Sequence, residues 1–130
     1  MSEPFDLAQQ PVVAFVATCD AERARKFYGD TLGLRLVLDQ LPFALVFDVG
    51  GTMLRVTPAK ELHPAGYTVL GWQVQDIVHA AKALEEAGVR FERYPGLEQD
   101  ELGVWTAPGS AAKVAWFKDP DGNILSITQH

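Results

Sequence analysis

The stretch Val13-Ala-Phe-Val-Ala-Thr-Cys-Asp20 is a short apolar run that ends in an aspartate, and it recurs as Val69-Leu-Gly-Trp-Gln-Val-Gln-Asp76. A helical pattern with one apolar face follows each copy. Asp20 and Asp76 stand where a helix N-cap accepts hydrogen bonds from unpaired backbone amides. The apolar helix positions are Ala24, Phe27, Tyr28 and Leu32 in the first copy and Ile77, Ala80, Ala81 and Leu84 in the second. The repeat therefore predicts a strand followed by a helix in each half of the chain.

The two halves also continue in the same way. Gly33 and Gly88 come just after the helical patterns, where a left-handed residue commonly ends a helix. Each half then supplies a strand and a strand–turn–strand pair, with Gly or Asp in the turns. The predicted strands after the helices are Leu34–Leu38, Phe43–Phe47 and Thr52–Thr57, then Val89–Tyr94, Lys113–Phe117 and Ile124–Thr128.

This duplication predicts the fold class α+β, with two tandem βαβββ modules that form a curved mixed sheet around a single cavity. We expect residues 1–10 to be an N-terminal extension and residues 11–130 to be a single domain. Within it, module one is 11–57, the linker is 58–66 and module two is 67–129. Module two has a longer loop between Tyr94 and Lys113, and such a loop is a natural lid or binding segment.

Composition narrows the class of protein and its compartment. The chain has 130 residues, of which 48% are hydrophobic and 22% charged, the balance of a globular protein. Its net charge of −6 disfavours nucleic acid as a partner. The acidic N-terminus does not resemble a signal peptide, and no apolar run reaches the roughly 18 residues of a membrane span. We expect a cytoplasmic protein without a membrane partner, in which the single Cys19 is buried and unreactive.

Three motifs on this duplication resemble a known family. Phe27-Tyr28-Gly29-Asp30-Thr31-Leu32-Gly33-Leu34 resembles the FYxxxLGL signature of the vicinal oxygen chelate superfamily, also known as the glyoxalase/bleomycin resistance protein/dioxygenase superfamily. Phe117-Lys118-Asp119-Pro120-Asp121-Gly122-Asn123 resembles its DPDGN hairpin, and Val74–Ile77 resembles the start of its second helix. The resemblance extends from about Pro11 to Gln129 and implies a glyoxalase/bleomycin resistance-like fold.

The resemblance also implies where a metal ion would be bound. The metal enzymes of the superfamily place His, Glu or Gln ligands on the first and last strand of each module, and the matching positions here are Val13, Arg55, Val69 and Ser126. None of these is a usual ligand for a divalent cation, and Arg55 adds a permanent positive charge. A shift of one residue along any of these strands brings in no His, Asp, Glu or Cys either. We therefore predict no metal site and no cofactor.

Strand alternation extends these four positions to a mainly apolar wall with a few polar groups, which is typical of a small-ligand site. Arg55 either binds an anionic oxygen of a ligand, pairs internally with Asp48 or Glu92, or is simply exposed. Trp105 on the long loop either closes over a ligand or anchors the loop. Trp72 is expected in the core, whereas the pattern does not assign a face to Trp116. The predicted ligand-binding residues are Val13, Phe15, Met53, Arg55, Thr57, Val69, Gln73, Trp105, Ser126 and Thr128.

The resulting functional hypothesis is a metal-independent protein of this superfamily that binds a small, aromatic or amphipathic molecule. The resemblance to the bleomycin-resistance branch implies a homodimer. The sequence identifies no catalytic residue, and enzymatic activity stays open. One alternative is a lyase or isomerase in which Arg55 stabilises negative charge, another a glyoxalase- or dioxygenase-like metalloenzyme with relocated ligands. A third is a sensor module whose cavity regulates a partner protein.

Overall fold

A computed structural model describes residues 4–130 of the chain; residues 1–3, part of the predicted N-terminal extension, lie outside the described residues. Module one consists of β1 (Val13–Thr18), α1 (Ala21–Arg25), β2 (Arg35–Gln40), β3 (Ala44–Val49) and β4 (Thr52–Pro58). Module two consists of β5 (Thr68–Gln73), α2 (Ile77–Glu86), β6 (Trp105–Thr106), β7 (Lys113–Lys118) and β8 (Ile124–Gln129). The predicted fold class, α+β with two tandem βαβββ modules, is confirmed.

The eight strands pair in two sheets of four. Sheet one has the order β1-β4-β3-β2 and sheet two the order β5-β8-β7-β6. In each sheet the first and last strands of the module run parallel, and the other neighbours are antiparallel. A register shift between Leu36 and Leu38 interrupts the pairing of β2 with β3. The first strand of each module therefore lies directly beside its last strand.

The predicted helix ends are confirmed. The backbone amide of Arg23 donates to Asp20 and that of His79 donates to Asp76, each at 3.1 Å, so both aspartates cap their helices. Gly33 and Gly88 have φ angles of 75° and 103°, in the region that glycine adopts without strain. After Arg25 the first helix continues as a π-helical segment through Thr31. Within residues 4–130, neither this segment nor any other helix has the length and apolar character needed to cross a bilayer.

One face of each sheet is covered by the helix of its module and forms the core. Sheet one packs against α1 and the π-helical segment, and sheet two packs against α2, because alternate strand residues are apolar on those faces. The buried core residues include Val16, Ala24, Tyr28, Leu45, Phe47, Leu54 and Val56 from module one and Ile77, Ala81, Ala115, Phe117, Leu125 and Ile127 from module two. The opposite face of each sheet, which we call its open face, is not covered by any helix of residues 4–130.

The turn between β7 and β8, Asp119–Asn123, joins module two to module one. The Tyr28 hydroxyl donates to the buried Asp119 carboxylate at 2.6 Å, and the Asn123 side-chain amide donates to the Ala17 carbonyl at 2.9 Å. The Thr18 hydroxyl donates to Asp121 at 2.6 Å. Burial of the Tyr28 ring, and then the charge of Asp119, raise the pKa of the Tyr28 hydroxyl, so it stays protonated as a donor. The FY and DPDGN motifs therefore contact each other.

The predicted strand Val89–Tyr94 is wrong. Phe91 forms one isolated bridge with Phe117, and the edge position beside β7 is taken by the two-residue β6. The side chain of Gln99 explains the difference, since its amide donates to the Glu92 carbonyl at 2.9 Å and its carbonyl accepts from the Tyr94 amide at 2.8 Å. A side chain thus satisfies backbone groups that a strand partner would otherwise satisfy.

The expectation of a buried Cys19 is also wrong, because its side chain is exposed. Thr18, the last residue of β1, points into the protein and is buried. The next side chain of an extended chain points the opposite way, which turns Cys19 toward solvent. Its backbone amide donates to Asp121 at 2.8 Å, so the backbone of Cys19 still takes part in the contact between the two modules.

We predict that Tyr28→Phe lowers the free energy of unfolding by about 1–3 kcal/mol, because a buried carboxylate loses a donor that it cannot replace with water. Urea denaturation monitored by circular dichroism measures this change. Tyr67→Phe is the matched control, since the Tyr67 side chain is exposed. Equal stability of the two variants would show that the Tyr28–Asp119 hydrogen bond contributes nothing.

Candidate functional site

The open face of sheet one carries apolar side chains around Arg55, and the Arg35–Asp48 ion pair lies on the same face toward β2. Arg55 lies opposite Phe15 on β1 and Val46 on β3, and Val13 lies opposite Met53 one step along the same face. Phe15 is 61% exposed, an unusual situation for a phenylalanine in the middle of a strand. The structure thus brings five predicted ligand-binding residues together on this face: Val13, Phe15, Met53, Arg55 and Thr57.

Neither carboxylate considered as an internal partner of Arg55 pairs with it. Asp48 forms an ion pair with Arg35 at 3.3 Å, and Glu92 forms one with Lys118 at 3.6 Å. Within residues 4–130, the Arg55 guanidinium has no ion pair and no hydrogen bond. The alternative of an internal salt bridge to Asp48 or Glu92 is therefore wrong. The Arg55 side chain is half-buried, and its N–H groups are available to a molecule that contacts this face.

The open face of sheet two carries hydroxyl, amide and aromatic groups. Ser126 lies between Gly71 and Trp116, and Thr128 lies between Gln73 and Val114. A Cβ at position 71 would approach the Ser126 hydroxyl oxygen to 2.8 Å, so any larger residue there would require this hydroxyl to move. Ser126 is 6% exposed and offers a ligand little surface. The predicted ligand-binding residues on this face are Val69, Gln73, Trp105, Ser126 and Thr128.

Three aromatic rings form a cluster at the outer side of this face. The ring of Trp116 lies 6.0 Å from that of Trp105 and 5.6 Å from that of Tyr94, centroid to centroid, and the Tyr94 contact is edge-to-face. Trp105, opposite Val114 in β6, thus anchors the loop to the sheet and stays partly accessible to a ligand. The Tyr94 hydroxyl is buried without a hydrogen-bond partner among the described residues. Burial, followed by the charge of Glu92, raises its pKa.

Sequence reasoning missed Trp116 and Tyr94 as members of the site. The face of Trp116 follows from its neighbour, because Phe117 is a core residue and adjacent strand residues point to opposite faces. Tyr94 gave no such signal, since it lies outside the strands and is placed by the hydrogen bond from its backbone amide to Gln99. Trp72 is where it was predicted, on the helix-covered side, where its ring stacks on that of Phe117 at 6.4 Å.

A separate cavity of about 340 Å³ lies on the helix-covered side, between the end of the first helix and module two. Apolar side chains of both modules line it, and Gln73 is its one residue from the predicted ligand-binding set. By strand register all ten predicted residues, Gln73 included, belong to the two open faces, and Gln73 also borders this cavity.

The donor groups present do not fit a divalent metal ion. The positions that carry ligands in related metal enzymes hold two valines, an arginine and the largely buried Ser126. Within the part of the chain that the structure describes, no three His, Cys, Asp or Glu side chains come close enough to hold a cation. An ion between Val13 and Arg55 would face an alkyl group and a positive charge. We therefore derive no chemical step through a metal.

A duplicated βαβββ chain with the first and last strands of each module side by side defines a recognisable class of protein. The family model described as the Glyoxalase/Bleomycin resistance protein/Dioxygenase superfamily matches residues 10–127, and the chain belongs to this superfamily. No protein of curated function matches the chain.

Solved structures support the same fold. A putative glyoxalase family protein from Bacillus anthracis is similar with a TM-score of 0.71 and 19% identity, covering 100% of this chain and 99% of that one. The fosfomycin resistance protein FosX from Listeria monocytogenes has a TM-score of 0.73 and 11% identity, with 94% and 93% covered. A lactoylglutathione lyase from Agrobacterium tumefaciens has a TM-score of 0.64 and 17% identity, with 93% of each chain covered. At these identities the likeness concerns the fold alone.

We predict that Arg55→Met changes the free energy of unfolding by less than about 0.5 kcal/mol, because the substitution removes no internal partner and keeps the aliphatic stem. Urea denaturation at pH 7 measures this. Asp119→Asn is the contrasting variant, since it replaces a buried carboxylate that accepts four hydrogen bonds, and it should be clearly destabilised. A loss above about 1.5 kcal/mol for Arg55→Met would show that Arg55 is structural.

Proposed function

We propose that this chain is a metal-independent binding protein for a small aromatic or amphipathic molecule that carries an anionic group. The observation that supports this most directly is the Arg55 guanidinium, which has no partner among the described residues and lies between the apolar side chains of Phe15 and Val46. In such surroundings a guanidinium makes fewer hydrogen bonds to water. A carboxylate, phosphate or enolate oxygen compensates for that loss best. Arg55 is thus the polar anchor of the site.

The neighbours of Arg55 favour an apolar body on the same ligand. Phe15 and Met53 flank the guanidinium on the open face and are exposed, so a ligand that covers them removes apolar surface from water. Trp116, Trp105 and Tyr94 on the other open face favour flat rings, since aromatic side chains stack well on one another. An apolar surface with few polar groups is the usual composition of a small-molecule site.

We further propose that the protein acts as a homodimer, as the resemblance to the bleomycin-resistance branch implies, and that it does so in the cytoplasm, as expected from the composition of the chain. Support comes from the exposed apolar side chains concentrated at β1 and beside it. Val13, Phe15 and Met53 are exposed neighbours on the open face, and a second copy of the chain would cover them. The partner copy would then also enclose a ligand bound at Arg55.

The role of Arg55 predicts a selective loss of affinity. We expect Arg55→Met to weaken binding of an aromatic acid such as 2-naphthoate by about 10- to 100-fold, because it removes a charge-assisted hydrogen bond. Isothermal titration calorimetry measures the affinity, with 2-naphthamide as the neutral ligand of the same shape. Binding of the amide should be unchanged in the variant.

Two controls separate this result from indirect effects. Arg90→Met removes the same charge from an exposed position outside the open faces and should leave 2-naphthoate binding intact. Metal analysis of the purified protein should find no stoichiometric divalent ion. Equal losses for acid and amide would contradict the proposed anchor, and a stoichiometric ion required for binding would contradict the metal-independent proposal.

The proposed dimer predicts twice the chain mass of 14.3 kDa in sedimentation equilibrium. Phe15→Glu should shift the equilibrium to the monomer, because it places a charge in the apolar surface that the second copy covers. Phe5→Glu, at an exposed position before β1, is the matched control and should remain dimeric. A wild-type monomer at concentrations of about 100 μM would contradict the dimer.

An enzyme is the second candidate, and the same guanidinium supports it. A fixed positive charge in an apolar site stabilises negative charge that develops on a substrate oxygen, as in a lyase or isomerase. Glu92, two residues before Tyr94, is the carboxylate nearest in sequence to the aromatic cluster, and it pairs with Lys118. Recovery of a bound ligand unchanged after long incubation supports the binding protein, and conversion to product supports the enzyme.

A further inference from the structure

The cavity on the helix-covered side, which we call the seam cavity, lies where the two modules meet. Module one contributes Leu32 and Leu34, and module two contributes side chains of β5, α2, β7 and β8. The residues of module two that line it are Trp72, Gln73, Val74, Ala80, Ala83, Leu84, Phe117 and Ile127. We propose that the seam cavity is a second binding site, separate from the open faces, for a neutral apolar molecule about the size of two fused rings.

The sequence of α2 explains why the space is empty of protein. The helix turns Ala80 and Ala83 toward the seam, and their methyl groups are too short to reach Leu32 and Leu34. Several apolar residues around the space are consequently only partly buried, among them Leu32, Trp72 and Leu84. A ligand that fills the space removes these surfaces from water and restores the contacts that a closed core would have.

The lining determines the charge of the ligand. Nine of the ten lining residues are apolar, and Gln73 is the one polar member. This cavity is open to solvent on one side, so an ion in it would lose part of its hydration and find no opposite charge among the lining residues. A neutral molecule avoids this loss. Gln73 can form at most one hydrogen bond with it, through its side-chain amide or its backbone.

The volume and the shape of the wall determine the size of the ligand. An apolar cavity of about 150 Å³ binds benzene, so the seam cavity of about 340 Å³ has room for a bicyclic molecule. The rings of Trp72 and Phe117 form part of its wall and are nearly parallel, with an angle of 17° between their planes. A flat ligand is therefore favoured over a branched one.

The seam cavity is independent of Arg55 because the two lie on opposite sides of the sheets. Phe117 and Ile127 of the cavity belong to the core face, whereas Arg55 and Trp116 belong to the open faces. Ligands of the two sites accordingly differ in charge, an anion for Arg55 and a neutral molecule for the seam. The site does not depend on the function proposed above.

Indole is the probe for the experiment, and indole-3-acetate is the charged molecule of similar shape. We expect indole to bind with one-to-one stoichiometry in calorimetry and to raise the melting temperature, with indole-3-acetate at least tenfold weaker at this site. Ala83→Met places a longer side chain at the exposed mouth of the cavity, and it should weaken indole binding at least tenfold. Val78→Met, on the exposed side of the same helix, is the control and should bind as the wild type does.

A measurement on the wild-type protein locates the probe without any variant. Intermolecular nuclear Overhauser effects from indole to the methyl groups of Leu32, Leu34 and Leu84 are expected. Absence of indole binding at millimolar concentration overturns the proposal. So does binding that survives Ala83→Met but is lost with Trp116→Ala or shows Overhauser effects to Trp105, because the probe then lies on the open face.

Discussion

The structure depends on one carboxylate placed between the two modules. Asp119 is buried, and its two oxygens accept hydrogen bonds from the Tyr28 hydroxyl, the Asn123 side chain and two backbone amides of its own turn. A buried carboxylate is tolerated only when its oxygens are satisfied in this way. Because one of the four donors comes from module one, the turn is fully satisfied only when the modules are in their correct relative position. The same turn then holds the end of β1 through Ala17, Thr18 and Cys19.

The contacts of the Asp119–Asn123 turn with β1 determine the relative position of the two open faces. The turn fixes the end of β1, and β1 carries Val13 and Phe15 of the open face next to Arg55 on β4. It also belongs to the hairpin that continues into β8 with Ser126 and Thr128. Contacts at this turn thus determine how the open face of sheet one, with Arg55, lies relative to the open face of sheet two, with its aromatic and hydroxyl groups. The turn itself belongs to neither face.

Much of the fold was predictable because the sequence repeats local signals. The N-caps Asp20 and Asp76 and the glycines Gly33 and Gly88 depend on backbone chemistry within a few residues, and such signals are readable without tertiary structure. The strand Val89–Tyr94 was mispredicted because the deciding partner, Gln99, is a side chain that competes with a strand for the same backbone groups. Local propensity contains no information about that competition.

The candidate site was predictable only in part, for a related reason. Strand alternation assigns Arg55 and Phe15 to one face. The two carboxylates considered as internal partners of Arg55 pair elsewhere, Asp48 with Arg35 and Glu92 with Lys118. Pairing among long charged side chains depends on register, and the register became known only from the structure. The seam cavity had no signal at all, because it results from two alanines on one module and two leucines on the other.

The outer edges of the two sheets have a consequence for how this chain meets copies of itself. In the part of the chain that the structure describes, the shift in the pairing of β2 and the brevity of β6 interrupt the row of free backbone donors and acceptors at the two outer edges. Addition of a foreign strand, the route by which sheets grow into aggregates, is therefore disfavoured there. Encounters between molecules are directed instead to the side chains on the sheet faces, where specificity is set by shape and charge.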